Sequence, residues 1–292
     1  LNVQVNIAHL CRRTGAGSAF RRTMIGTSTM GTDIRIEDDF ELAVAEGLAF
    51  QTLYVRVLDR KPAPSPELPA DELRQRAVDG CVDAQIGWAR RLLHGAGVAR
   101  DPEAAFRWFR MAARSGDAEA LNMVGRCYEI GWGVPVDFAE AADWYGRAAD
   151  RGHAWGEFNL ANLYAQGRGV PFDEGKALTL LVRSARRGNP KAMNMIGRYR
   201  EAASLARRRR RSAALWYRWA AERGCFRGQF HHGRYCVAAG RVSDGIRWFR
   251  ASLAHAPADF RREALDMLRT HARSELRELA SEIEAGERGS AT

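Results

Sequence analysis

Residues 120–152 read ALNMVGRCYEIGWGVPVDFAEAADWYGRAADRG, and every landmark in this stretch recurs along the chain at a spacing of 36 residues. The closing Gly152 is one of five evenly spaced glycines, with Gly80, Gly116, Gly188 and Gly224. Counted from each glycine, the fourth residue is small (Ala84, Ala120, Gly156, Ala192, Gly228), and so is the ninth (Ala89, Gly125, Ala161, Gly197, Gly233). The eighth and twelfth positions carry Trp88, Val124, Leu160, Ile196 and His232, then Leu92, Tyr128 and Tyr164 before Arg200 and Cys236 depart. Offsets of four, eight, nine and twelve fall on one helical face, and the small residues on that face admit a neighbouring helix. A fixed period of this length predicts stacked supersecondary units rather than one closed core.

The middle of each unit reads as a turn. Gly95-Ala-Gly97-Val98, Gly131-Trp-Gly133-Val134 and Gly167-Arg-Gly169-Val170 are one element three times, with the leading glycine suited to the left-handed position after a helix. Asp101, Asp137 and Asp173 follow as N-caps. Asp101-Pro102 places proline at the first helical position, and Asp137 with Glu140 forms a capping-box pattern. The second helix carries Trp108-Phe109, Trp144-Tyr145, Leu180-Leu181, Trp216-Tyr217 and, after a four-residue deletion, Trp248-Phe249. At this spacing the tryptophans read as inter-repeat core rather than as a stacking platform. Ala112, Ala148, Ser184, Ala220 and Ser252 follow each pair as small contact residues.

Taken together, Ala120 to Val134, Asp137, Ala141, Trp144-Tyr145, Ala148-Ala149 and Gly152 resemble the Sel1-like repeat family, a relative of tetratricopeptide repeats, over about residues 70–256. The resemblance implies an all-α, α/α solenoid of about five 36-residue helix-turn-helix repeats. It also implies an adaptor or scaffold role, as in protein quality control and in bacterial signalling or host contact. Secreted members with a disulfide in every repeat fit poorly, because regular cysteine pairs are missing.

The expected organisation is a disordered basic tract over 1–30, an N-terminal capping helix over 31–61 and a stiff proline-rich linker over 62–69. The repeat solenoid then covers 70–256, a C-terminal capping helix 257–285 and a disordered tail 286–292. Asp38-Asp39 would start the N-terminal helix, whose stripe is Phe40, Val44, Leu48, Leu53 and Val57; Asp71 would cap a half-repeat over 71–79; Leu265, Leu268, Leu276 and Leu279 would face inward at the other end. Caps of this kind cover the open ends of a stack. Strand signals are sparse outside Val3 to Ile7. Gly15-Ala-Gly17 lacks the third glycine of a dinucleotide loop.

The net charge is +10, from 45 Lys+Arg against 35 Asp+Glu. Arg12, Arg13, Arg21 and Arg22 with Arg207, Arg208, Arg209, Arg210 and Arg211 supply nine of the positive charges, which leaves the rest near balance. A broad basic face for tracking phosphates is therefore not expected, and nucleic acid is disfavoured as a partner. The alternative reading gives the Arg207–Arg211 cluster, placed before a helix, a role in holding nucleic acid or an anionic surface. Mean hydropathy is −0.38, no apolar run spans a bilayer, and the expected location is the cytoplasm. The five cysteines, Cys11, Cys81, Cys127, Cys225 and Cys236, are read as free thiols. His231, His232 and Cys236 on one helix cannot close a four-ligand metal site. No catalytic motif is present, so neither an enzymatic activity nor a cofactor is expected.

By analogy with tetratricopeptide grooves, offsets three, six, ten and thirteen of each first helix should line the inner wall. These positions give Arg90, Arg126, Arg198 and Arg234 with Asn162 at offset ten, Asn122, Asn194, Phe158 and Phe230 at offset six, and Trp155 with Lys191 and Arg227 at offset three. Guanidinium groups with amides and aromatics between them suit an extended peptide bearing acidic groups. A protein or peptide partner held in this groove is the expected function.

Overall fold

The computed structural model describes residues 24–27, 33–36, 56–57, 68–202 and 207–290, with side chains over 68–202 and 212–286. The chain divides into two units, Leu1–Glu67 and Leu68–Thr292. In the first unit, β1 (Met24–Thr27), β2 (Asp33–Ile36) and β3 (Arg56–Val57) form an antiparallel sheet in the order β1-β2-β3. Gly26 stands opposite Ile34, and Ile34 opposite Val57. These segments correct two expectations: residues 24–27 of the basic tract are strand, and so are 33–36 and 56–57 within the expected capping helix. Asp-Ile-Arg-Ile alternates polar and β-branched residues, a period of two that suits a strand better than a helix. The remainder of that helix, the Val3–Ile7 signal, Cys11, the Gly15–Gly17 turn, Arg12, Arg13, Arg21 and Arg22, and linker residues 62–67 lie outside the described residues.

The second unit is all-helical. The first helices of five successive pairs are α2 (Val82–His94), α4 (Ala118–Ile130), α6 (Ala154–Gln166), α8 (Pro190–Ala202) and α10 (Phe226–Ala238). The second helices are α3 (Pro102–Ala113), α5 (Phe138–Asp150), α7 (Glu174–Arg186), α9 (Arg207–Glu222) and α11 (Val242–Ala254). A short α1 (Ala70–Val78) precedes them, and α12 (Ala258–Arg269) and α13 (Ser274–Ser290) follow. Pro69, not Asp71, occupies the N-cap position of α1.

Gly95, Gly131 and Gly167 end their helices at φ of 73, 82 and 64°. Asp101, Asp137 and Asp173 accept from backbone N–H groups of the next helix at 2.8–3.0 Å. Each of these aspartates also donates its own N–H back to the preceding helix, to Leu92, Tyr128 and Tyr164, which closes the turn.

The second glycine of the turn has another task. An added Cβ on Gly133 would lie 2.1 Å from the Pro102 carbonyl oxygen, and one on Gly169 would lie 2.1 Å from the Phe138 carbonyl carbon. Each turn therefore rests on the start of the second helix one repeat earlier. Another such glycine contact links consecutive repeat boundaries. The guanidinium of Arg151 covers Gly116, and that of Arg187 covers Gly152.

The centre of each repeat is the second member of the aromatic pair, not the first. Phe109, Tyr145, Leu181, Tyr217 and Phe249 are buried, whereas Trp108, Trp144, Trp216 and Trp248 are half-buried at the flank. The reason is the small residue opposite. A Cβ on Gly125, Gly197 or Gly233 would stand 2.7–2.8 Å from Tyr145, Tyr217 or Phe249, so those rings lie against helix backbone.

The C-terminal end is two helices rather than one over 257–285. The chain breaks at 270–273, where Arg277 donates to the carbonyls of His271 and Ala272. Turning back lets Leu276 and Leu279 pack with Leu265 and Leu268; a straight helix would carry them past the end of the stack. Helix α13 runs to Ser290, into the expected tail.

Candidate partner-binding face

First helices of neighbouring repeats touch at the α4–α6 and α8–α10 seams, while second helices have no comparable contact with one another among the described residues. The layer of first helices is therefore the tighter, inner side of the stack.

Hydrogen bonds show how the seams are keyed. Asn122 Oδ1 accepts from Asn159 Nδ2 at 3.0 Å. Arg90 pairs directly with Glu119, and His153 Nε2 lies 2.9 Å from the other oxygen of Glu119. The His153 bond, then the Arg90 charge, hold the Glu119 carboxyl below its ordinary value, against an opposing effect of burial. His153 Nδ1 also accepts from the Gly156 N–H and caps α6. One repeat further, the Glu157 carboxylate is 0 % exposed, with Arg183 Nε at 2.9 Å and Arg187 Nε at 3.3 Å. Sequence reading missed Glu119, His153 and Glu157, because their partners lie about one repeat away and no local motif marks them.

The expected groove residues separate into three groups. Phe230 is core, at 3 % exposure and packed on Phe249 and Phe260. Asn122 and Asn194 are buried in the seams, and Asn194 Oδ1 has no donor. Offset six at Asn122, Asn194 and Phe230 is thus buried rather than set on the inner wall. In a second group the guanidiniums are already engaged. Arg90 is held by Glu119; Arg234 lies 3.6 Å from Glu201 and donates to His231 Nδ1 at 3.1 Å; Arg126 stacks over Trp132 at 4.8 Å. The third group is available at the surface. Trp155 is 39 % exposed, with Phe158 edge-on behind it at 6.0 Å and Lys191 Nζ 5.2 Å from its ring. Asn162 is half-exposed and Arg198 exposed.

Around the last seam, His231 stacks on Tyr217 at 4.6 Å. Burial, then Arg234, with Arg198 and Arg227 adding and Glu201 opposing, lowers its pKa to about 4. Tyr217 donates to Glu201 at 2.8 Å, as Tyr145 does to Glu129, and burial with that bond raises both phenols. His232 Nε2 is 3.7 Å from Cys236 Sγ. Among the described residues no three His, Cys, Asp or Glu side chains converge as a metal-binding group, and Cys81, Cys127, Cys225 and Cys236 are unpaired. Burial pushes Cys127 up to about 12. No described helix is long and apolar enough to cross a membrane.

The arginine cluster is not a loop before a helix. Residues 207–211 form the opening of α9, which begins three residues before the position 210 that the starts of α3, α5 and α7 extrapolate to.

The Sel1 repeat family matches residues 82–117, 118–153 and 156–189. No curated protein matches the chain. Among solved structures, the chain is similar to a Sel1 repeat protein from Oxalobacter formigenes, with 21% identity, TM-score 0.61, and 76% of this chain and 100% of that one covered. It is also similar to a protective antigen of uropathogenic Escherichia coli with an SLR fold (23%, TM-score 0.45, 74% and 56% covered). A third likeness is an immunity protein of Pseudomonas aeruginosa (17%, TM-score 0.46, 76% and 77% covered). The 36-residue register, the capped turns and the glycine contacts agree with the matched repeats: residues 82–189 of this chain are three Sel1 repeats within an α/α solenoid.

Proposed function

We propose that the chain is a non-catalytic interaction scaffold that holds an extended segment of a partner protein along the layer of first helices. The observation that carries this reading is the surface around Trp155. An indole is left partly exposed on the inner side of the stack, backed by Phe158 and flanked by the Lys191 ammonium. Asn162 continues the face along the same helix and Arg198 along the next first helix. Exposed aromatics beside cationic groups anchor protein segments better than isolated charges do, because the ring supplies buried area and the cation supplies orientation.

The test is selection of binders from a random dodecapeptide library on the full chain. Peptides should be enriched, their binding should fall at least tenfold in Trp155→Ala with helicity unchanged, and it should persist when Arg207–Arg211 are replaced by glutamine. Enrichment that ignores Trp155 but vanishes with the five arginines would move the function to the α9 cluster and refute the proposal.

A further inference from the structure

First helices touch at the α4–α6 and α8–α10 seams, and the α2–α4 and α6–α8 seams have no comparable contact among the described residues. At α2–α4 the ion pair of Arg90 with Glu119 bridges the helices. At α6–α8 the bridge is a cation without an anion: Lys191 Nζ on α8 stands 5.2 Å from the ring of Trp155 on α6. A ring face orients the ammonium without neutralising it. Neither Lys191 nor Arg198 has a carboxylate partner among the described residues, whereas Arg90 and Arg234 are matched by Glu119 and Glu201. Lys191 and Arg198 are both exposed. Seven residues separate them, which sets them on one face of α8, about 10.5 Å apart along its axis. Trp155 and Asn162 have the same spacing on α6. Between the two rows the seam is apolar. At α4–α6 the sixth residue after the repeat glycine, Asn122, meets the seventh of the next repeat, Asn159. The same two positions at α6–α8 are Phe158 and Met195, both partly buried and packed against one core cluster.

We propose that the α6–α8 seam recognises an extended segment with two acidic residues three positions apart and an apolar residue between them. The apolar side chain lies on Trp155, Phe158 and Met195, and the two carboxylates pair with Lys191 and Arg198. The inference rests on the scaffold reading and specifies its partner as an acidic, apolar-centred peptide. A polyproline II backbone returns to the same side every third residue, after about 9.3 Å, which matches the spacing of the two cations. A regular strand does not, because its same-side residues recur at roughly 6.6 or 13.2 Å. The Arg198 guanidinium can take its carboxylate bidentately, and the Lys191 ammonium takes the other as a point charge.

The test is fluorescence anisotropy of the rhodamine-labelled, amidated peptide Gly-Ser-Gly-Ser-Glu-Leu-Pro-Glu-Ser-Gly-Ser-Gly on the full chain. Comparison peptides carry glutamine for both glutamates, serine for leucine, or lysine for both glutamates. Wild type should bind the first peptide and lose about tenfold or more with the glutamine or the serine form. Lys191→Glu and Arg198→Glu should each weaken binding of the glutamate peptide by about as much, whereas Arg90→Ala should not. The double variant Lys191→Glu/Arg198→Glu is decisive: it should reject the glutamate peptide and bind the lysine peptide. Lost structure would abolish binding of both peptides, so the exchange of preference separates recognition from unfolding. Equal binding of the glutamine peptide, equal binding by wild type and Arg198→Glu, or a double variant without the exchanged preference overturns the proposal. Absence of binding to the glutamate peptide with Trp155-dependent library peptides retained overturns it and leaves the scaffold; loss of both refutes both. An oligothymidylate that displaces the labelled peptide at lower concentration than the unlabelled peptide does assigns the two cations to nucleic acid and also overturns it.

Discussion

The turn glycines offer a comparison in which backbone conformation is constant and only the neighbour changes. Gly97, Gly133 and Gly169 occupy the same place in the same motif, at φ of 71, 70 and 69°. An alanine at any of them suffers the left-handed cost of about 1–2 kcal/mol. At Gly97 a Cβ would meet nothing within 4 Å, whereas at Gly133 and Gly169 it would overlap backbone of the preceding second helix at 2.1 Å. Backbone cannot rotate aside as a side chain can, so the stack must open locally, and overpacking of this kind costs about 1–3 kcal/mol more. At about 2–4 °C per kcal/mol for a unit of this size, Gly133→Ala and Gly169→Ala should melt about 2–12 °C below Gly97→Ala. Circular dichroism melts measure the difference. Hydrogen exchange should locate it, with faster exchange at the start of α3 in Gly133→Ala and at the start of α5 in Gly169→Ala, since repeat arrays lose neighbouring interfaces one at a time. Three variants with the same melting temperature would refute the claim that each turn rests on the repeat before it.

Two further outcomes follow from the packing and the titrating groups. Tyr145→Ala should cost about 3–5 kcal/mol as a buried aromatic truncation, and Trp144→Ala distinctly less, because the indole is half-buried and bonded only to Glu140 of its own helix; denaturant unfolding of both variants ranks them. Acid should destabilise the fold in two ranges. His231 and His232, both lowered to about 4 mainly by burial, bind fewer protons folded than unfolded, so stability falls as pH drops from about 6.5 towards about 4. Glu119, held below 4.5, contributes stability above that value that is lost as pH falls through its folded pKa. Unfolding free energies from pH 7 to 3 should show the first range flattened in a His231→Gln/His232→Gln double variant and the second flattened in Glu119→Gln.

Much of the solenoid is written locally. The glycine that ends the first helix and the aspartate that starts the second, present in three copies, and the small residues at offsets four and nine, present in five, align without a structure. The small offsets also imply close helix approach, which the Gly125–Tyr145 and Gly228–Ala220 contacts display. What failed was any reading that needed to know which of two adjacent positions turns inward. Trp144 and Tyr145 are neighbours in sequence, and only packing against Gly125 decides that the tyrosine takes the centre. The break at 270–273 carries no glycine or proline; it exists because α13 gains apolar contact by folding back onto α12.

The sequence by itself determined the period, the helix boundaries of the first three repeats and the all-helical character of the second unit, because capping, turn chemistry and helical periodicity are properties of a few consecutive residues. Only the tertiary structure decided which arginines are spent on the protein's own carboxylates. Arg90 and Arg198 share a column and an identity, yet Arg90 is paired with Glu119 across a seam while Arg198 stands exposed. Charge pairing is set by what the next repeat presents within a few ångströms, and a single strand of sequence does not show which side chains face one another until the repeats are stacked.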